Sequence, residues 1–389
     1  MWPKYSSKEI SAVVNVLTTG RGNYWSGDEG RLFEEEFSKW SDTKYSISVS
    51  NGTIAIEAAL KSLDIRLNDE VIVTSRTFIA SASAISIIGA TPVFVDVDSN
   101  SQNIDIKSIK GAITKRTKAI ICVHLAGWPC DMDAIMKISE EKNIYVIEDC
   151  SQAHGAKYNG KSVGSFGHIG TWSFCQDKII STGGEGGMIT TSSNNIFKKI
   201  LSYRDHGRDF NININSDNKF QWMRGSIGTN ARLTEMQSAI GRIQLQSVDL
   251  WVETRRKNSD KIWNAARGIK GLRAPMVPDN VVHAAYKCYI FVQPELIRPE
   301  FDRDWIVEEL NKKGVECFTG SCPEVYLEKA FCNECSGIIR MNNAKKLGET
   351  SIMFKVDQTL DDRYFNTIIK ALTQVMKGVI NDMRVSSKA

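Results

Sequence analysis

Apolar runs of strand length alternate with amphipathic runs of helix length through the first half of the chain. The pattern predicts strands near Ser46–Ser50, Glu70–Val73, Pro92–Val95, Ala119–Val123 and Tyr145–Glu148. Helices are predicted between them over Ile54–Leu63, Ile79–Ile88 and Asp131–Lys142. Strands separated by helical crossovers pair in parallel, and the helices cover both faces of the resulting sheet. The expected class is therefore α/β with a mostly parallel sheet. At 389 residues the chain has room for one large and one smaller domain. An amphipathic helix over Ser7–Leu17 precedes the glycine-rich stretch Gly20–Gly27. Thr234-Glu235-Met236-Gln237 reads as a capping box. It is expected to open one long helix through Ala239, Ile243, Leu245 and beyond, bridging a large domain over residues 1–250 to a small one over 251–389. The C-terminal third mixes helix and strand around His283–Val292, and residues after about Met376 read as a short frayed tail.

Charge and composition exclude several classes of function. The net charge of +4, from 49 basic and 45 acidic residues, is balanced, and no basic run marks a nucleic-acid surface. Residues Met1–Glu9 carry no apolar core of a secretory signal, so a cytoplasmic enzyme is expected. Phe78–Val95 is uncharged, but its serines, Gly89 and Pro92 divide it into helix, turn and strand, which argues against a membrane span. Nine cysteines, an odd number without a signal, read as reduced thiols. Cys332 and Cys335 have CxxC spacing, with Cys317 and Cys322 upstream; the spacing matches no standard zinc module and no histidine is near, so no metal is expected. No GxGxxG fingerprint follows an early strand, which argues against a nicotinamide oxidoreductase.

Three segments carry chemistry. Lys178 lies between the apolar strand Gly170–Phe174 and the turn Gly183-Gly184-Glu185-Gly186-Gly187, a place that suits a nucleophilic amine. Asp149 emerges at the carboxyl end of the strand through Tyr145–Ile147, where open α/β sheets bind ligands. A carboxylate there needs a cationic partner or good hydrogen bonds, and a protonated pyridine nitrogen supplies one. Ser50-Asn51-Gly52-Thr53 turns from a strand straight into a helix, whose free amides suit a phosphate. A phosphate cradle, a strand-end carboxylate and a lysine, in that order, form the constellation expected of pyridoxal 5′-phosphate (PLP).

With these motifs the chain resembles the DegT/StrS family of PLP-dependent sugar aminotransferases, from about Glu9 to about Leu372. The resemblance rests on Ser50-Asn51-Gly52-Thr53, Thr77-Phe78-Ile79-Ala80, Glu148–Gly155, Ser173-Phe174 through Lys178, Gly184-Glu185-Gly186-Gly187 and Gly228-Thr229-Asn230-Ala231-Arg232. It implies the aspartate-aminotransferase-like fold type I: a mostly parallel seven-stranded sheet flanked by helices, plus a smaller C-terminal α/β domain. It implies that Lys178 binds the cofactor covalently and shuttles a proton, and that Asp149 pairs with the pyridine nitrogen. Gln152 would contact the phenolic oxygen, Phe78 would stack on the ring, and Gly52, Thr53 and Ser173 would hold the phosphate. The loop Ser226–Asn230 would cross to a partner subunit, with Asn230 on its phosphate, making a C2 homodimer with shared sites. His154 is expected in a core or supporting role. Arg204 and Arg232 are left unassigned.

The implied reaction moves an amino group from L-glutamate to a keto sugar, most often nucleotide-linked, for lipopolysaccharide, O-antigen or related glycans. Two alternatives stay open: a sugar dehydratase, whose histidine in place of the lysine is not found here, and a non-catalytic regulatory protein of the same fold. Trp128-Pro129-Cys130 and Phe318–Tyr326 differ from the commonest family wording, so a free keto sugar also stays open.

Overall fold

A computed structural model describes residues 2–210, 212, 223–331 and 339–380. Helices α1 (Ser7–Thr19) and α2 (Glu29–Trp40) precede the alternation. It then runs β1 (Tyr45–Val49), α3 (Gly52–Ser62), β2 (Glu70–Thr74), α4 (Ala80–Ile87), β3 (Thr91–Val95), α5 (Ile106–Ala112), β4 (Thr117–Val123), α6 (Met132–Lys142) and β5 (Tyr145–Asp149). A hairpin, β6 (Lys157–Tyr158) and β7 (Lys161–Ser162), leads to β8 (Ile169–Ser173), β9 (Gly187–Thr191) and α7 (Asn194–Arg204). These make a seven-stranded sheet in the order β1-β9-β8-β5-β4-β2-β3. Strands β3, β2, β4, β5 and β8 run parallel. Strand β9 runs antiparallel to both β8 and β1.

The buried strands are nearly continuous in Val, Ile and Ala, as a sheet covered on both faces requires. On one face α3, α4 and α7 pack over Ile47, Val71, Val73, Ile121 and Ile147. On the other, α5 and α6 cover Ile72, Ile120, Cys122 and Val146. The third core is aromatic. Phe33 and Phe37, one turn apart on α2, meet Trp172 and Phe174. The Trp172 indole donates to Thr190 Oγ1 at 3.1 Å.

Helix α2 was not among the predicted elements, and its start explains why. Its flanking Asp28 makes no side-chain cap. The Glu235 carboxylate caps it instead, accepting from Glu29 N at 2.6 Å and Gly30 N at 3.0 Å across more than 200 residues of sequence.

The capping box at Thr234 forms as expected, but the single long helix does not. It resolves into α8 (Glu235–Leu245) and α9 (Val248–Arg267). The break lets α8 lie against α1 and α2, while α9 links two cores. Val248 and Val252 pack beside Trp172, whereas Ile262, Trp263 and Ala266 belong to the C-terminal core. That core surrounds β10 (Leu272–Arg273), β12 (Cys288–Val292), β13 (Cys317–Phe318) and β14 (Ser351–Phe354), covered by α10 (Arg303–Lys312) and α12 (Asp362–Val379). The four strands form a separate sheet, with α11 (Asn342–Thr350) leading into β14. Strand β11 (Val281–Val282) leaves it to pair with β6 of the N-terminal half. Helix α12 runs past Met376, where a frayed tail was expected to begin. Met376 and Val379 are buried, and Val379 O accepts from Arg298 N at 2.9 Å, which holds α12 to its end. Among the described residues no helix is long and apolar enough to cross a membrane.

Phe37 is fully buried within the aromatic core. Phe37→Ala should lower the free energy of unfolding by about 3–5 kcal/mol, read as an earlier urea midpoint at unchanged slope. A loss below about 1 kcal/mol would mean that α2 is not integral to the fold.

Candidate active site

Asp149 ends β5 and is buried. Its Oδ2 accepts from Ser81 Oγ at 2.7 Å and its Oδ1 from Ser151 N at 3.1 Å. Among the described residues it has no cationic partner. A buried carboxylate held by neutral donors alone is costly, and it fits a ligand that brings its own cation. Ser81 also bonds Thr77 Oγ1 at 3.0 Å, tying the turn that carries Phe78 to this carboxylate. The Phe78 ring itself is 65% exposed, so a face of it is free to cover a ligand.

The next strand end supplies an anion cradle. Asn51 caps α3, its Oδ1 accepting from Ile54 N at 2.9 Å. Gly52 is the first residue of that helix, and a Cβ there would lie 2.6 Å from Ser173 Cβ at the end of β8. No side chain fits. The helix N-terminus, with Gly52, Thr53 and the Ser173 hydroxyl beside it, therefore presents amides to an approaching anion. These positions suit the two ends of PLP, a cationic ring nitrogen and a phosphate.

Lys178 sits in the loop between β8 and β9, its N–H bonded to Cys175 O at 3.0 Å. Its amine lies 4.9 Å from the centre of the Tyr286 ring. The Tyr286 hydroxyl donates to Asp177, and Lys287 Nζ stands 3.8 Å from the same carboxylate. Burial opposes charge on Asp177, but Lys178, the Tyr286 hydroxyl and Lys287 outweigh it and hold its pKa below the usual range. From the N-terminus, the Trp2 indole donates to Lys178 O at 2.7 Å. The Tyr5 hydroxyl accepts from Gly183 N at 3.2 Å. Gln152 joins the same neighbourhood through Ala126, whose N–H donates to Gln152 Oε1 at 2.8 Å and whose carbonyl accepts from Tyr286 N at 3.0 Å.

Residues chosen from sequence thus lie at or just after the ends of β1, β2, β5 and β8, except Asn230. Asn230 is exposed, paired through its backbone with Asp205. The neighbouring Ala231 O accepts from Ser50 N at 2.9 Å, at the rim of the cradle. Arg204 and Arg232 are committed to protein carboxylates: Arg204 to Glu34 at 2.6 Å, and Arg232 to Asp205 at 2.6 Å. His154 packs between Trp172 and Phe174, as expected of a core residue. Tyr286, Lys287, Asp177, Ser81 and Trp2 were missed. Asp177 adjoins the lysine and could have been suspected, but nothing local marks the others.

His124, Glu148 and Cys150 bring potential metal ligands within 4.8 Å of one another. They are already engaged. His124 Nδ1 accepts from Cys130 N at 2.9 Å, so its Nε2 carries the proton directed at Glu148 at 3.0 Å. The remaining Glu148 acceptors take the backbone N–H groups of Gly164, Phe166 and Gly167. This is a structural knot. Cys317 is a buried free thiol and Cys322 a half-buried one, whereas Cys332 and Cys335 lie outside the described residues.

The profile of the DegT/DnrJ/EryC1/StrS aminotransferase family matches residues 3–373. The chain belongs to this family. It is accordingly a PLP-dependent aminotransferase of the sugar aminotransferase family. GDP-perosamine synthase of Escherichia coli O157:H7 is 39% identical over 262 residues, 66% of this chain and 68% of that one. The dTDP-3-amino-3,4,6-trideoxy-alpha-D-glucose transaminase of Streptomyces venezuelae is 32% identical over 83% of this chain and 80% of its own. Among solved structures, the aminotransferase from Psychrobacter cryohalolentis superposes with a TM-score of 0.94 at 48% identity, covering 97% of this chain and 99% of that one.

Burial, with Lys178 and Arg255 adding to it, pushes the His154 pKa down from 6.5 to about 3. Between those values the unfolded chain binds a proton that the folded chain refuses, so stability is complete above pH 6.5 and falls as pH drops. The slope from this residue is about 1.4 kcal/mol per pH unit. His154→Leu should therefore lose stability less steeply than the parent from pH 6 to 4 in urea unfolding. Parallel pH profiles would show His154 to be protonated or exposed in the fold.

Proposed function

We propose that this aminotransferase takes an amino group from L-glutamate and delivers it to a keto sugar, a nucleotide-linked keto-deoxysugar used for surface glycans such as lipopolysaccharide O-antigen. The observation that carries the reading is the buried Asp149 carboxylate, with no cationic partner among the described residues, on the strand beside the one that leads to Lys178. The nucleotide link is supported by the GDP- and dTDP-sugar enzymes among the relatives.

When bound, PLP supplies a cationic ring that withdraws electrons from the donor's α-carbon. Asp149 accepts the ring's N–H and keeps that nitrogen charged. The amides of Gly52 and Thr53 and the Ser173 hydroxyl bind the phosphate, and Phe78 covers one face of the ring. Gln152, its Oε1 held by Ala126 N–H, would offer its NH2 to the ring's phenolic oxygen. Lys178 would hold the cofactor through its amine. Its Nζ would also take the α-proton of the donor and give a proton to the sugar carbon. Tyr286 and Asp177 hold the turn that aims this amine. The chain divides near residue 250 into a large unit, 1–250, and a small one, 251–389, with α9 spanning the boundary.

Borohydride treatment of the holoprotein should fix the cofactor's mass on the peptide carrying Lys178. A panel of nucleotide-linked and free keto sugars with glutamate should release 2-oxoglutarate. Asp149→Asn should still take up PLP yet lose turnover by orders of magnitude. Label on another lysine, or near-normal activity of the aspartate variant, would sink the assignment.

We also propose a C2 homodimer in which the Ser226–Asn230 loop reaches the partner's phosphate. Ile227 is 94% exposed and Trp25 45% exposed on that side, an apolar surface suited to burial. Lys178→Ala and Asn230→Asp, each nearly inactive alone, should recover part of the activity when mixed dimers form. Mixed dimers without recovery would refute the shared site.

A further inference from the structure

Lys178 belongs to a loop with little rigidity of its own. The loop joins β8 to β9 and ends in a glycine turn, where Gly183 and Gly184 take left-handed φ values of 82° and 119°. Glycine gives the backbone more freedom there than any other residue would. An amine that must meet a reacting carbon cannot share that freedom, since a displacement of about 1 Å costs on the order of a hundredfold in rate. Contacts from outside the loop have to fix it.

Residues 2–9 reach the loop at three points. The Trp2 indole donates to Lys178 O at 2.7 Å. The Tyr5 hydroxyl accepts from Gly183 N at 3.2 Å and lies 3.3 Å from Ser181 Oγ. Glu9, in the first turn of α1, accepts from Gln244 Nε2 at 2.7 Å, and Gln244 Oε1 in turn accepts from Ser181 N at 2.8 Å. Trp2 is half-buried, and its ring meets the Trp251 ring edge-on with centres 5.0 Å apart. Trp251 lies on α9, the helix that links two cores. The indole therefore ties the peptide of Lys178 to that helix. Its bond falls on the backbone carbonyl, so it sets the place of the lysine without occupying the amine, which stays 4.9 Å from the centre of the Tyr286 ring.

We propose that Trp2 and Tyr5 form a positioning strap for Lys178, fixing the main chain of its loop so that the amine keeps one place throughout the amino transfer. The proposal rests on the role given to Lys178 above. Trp2 supplies the bond at the lysine itself, and Tyr5 restrains the glycine turn behind it. Both act through the loop and not on the reacting atoms.

Trp2→Phe keeps an aromatic ring for Trp251 and removes the indole N–H. Its kcat for amino transfer should fall about tenfold, with KM for glutamate and for the keto sugar within about twofold of the parent. In the cofactor-free protein, hydrogen–deuterium exchange over residues 175–183 should quicken about fivefold. Peptides from α1 and the sheet, and the urea midpoint, should stay as in the parent. Tyr5→Phe should show the same pattern, with the faster exchange centred on Gly183. Trp2→Leu removes ring and donor together and should lose no less than Trp2→Phe. Normal kinetics and exchange in Trp2→Phe, with loss confined to Trp2→Leu, would overturn the strap. So would faster exchange throughout α1 and the sheet, the sign of general support for the fold. If the parent enzyme transfers no amino group from glutamate, the functional reading fails. The exchange measurement then still decides whether these residues fix the loop.

Discussion

The Glu148 carboxylate fixes the geometry from which the rest of the site is built. It is fully buried at the end of β5 and accepts from Gly164 N at 2.8 Å, Phe166 N at 2.9 Å, Gly167 N at 2.7 Å and His124 Nε2. The turn it gathers leads into β8, and the histidine it holds directly follows β4. The carboxyl ends of β4 and β5 and the turn that enters β8 are therefore held by one side chain. Buried polar groups are tolerated only when satisfied, and removing this carboxylate would orphan three amides and an imidazole at once. Asp149, the next residue, inherits that fixed position. So does the 124–130 turn, where Ala126 takes a left-handed φ of 57° and bonds both Gln152 and Tyr286.

The parallel sheet was legible because its strands are apolar throughout and its helices follow directly. The strands from Tyr45–Val49 to Tyr145–Asp149 fall within two residues of their expected limits, since burial on both faces leaves few alternatives. What could not be read depends on partners distant in sequence. Helix α2 relies on a cap from α8. The break between α8 and α9 reflects two cores that no local periodicity distinguishes. Strand β11, which crosses to β6, is too short to carry a pattern.

The site was legible where chemistry forces residue type. A glycine pressed against Ser173, a carboxylate at a strand end and a lysine before a glycine turn each leave a local trace. Tyr286 and Lys287 leave none, because they approach Lys178 from beyond residue 250 and resemble ordinary core or surface positions until the fold brings them together. Asn230 sits between these cases. Its segment lies against Ser50 in its own chain, and its proposed destination belongs to another copy.

The cap on α2 also has a consequence for how the protein is made. Glu235 follows Glu29 by 206 residues, and strand β1 at residues 45–49 pairs with β9 at residues 187–191. At translation rates of about 5–20 residues per second, the amino-terminal helix waits on the order of 10–40 s for its cap to be synthesised. During that interval Phe33, Phe37 and the edge of β1 lack their native cover. The nascent chain should be most dependent on chaperones at that stage, and codon changes that slow synthesis between β1 and α8 should lower soluble yield without altering the finished enzyme.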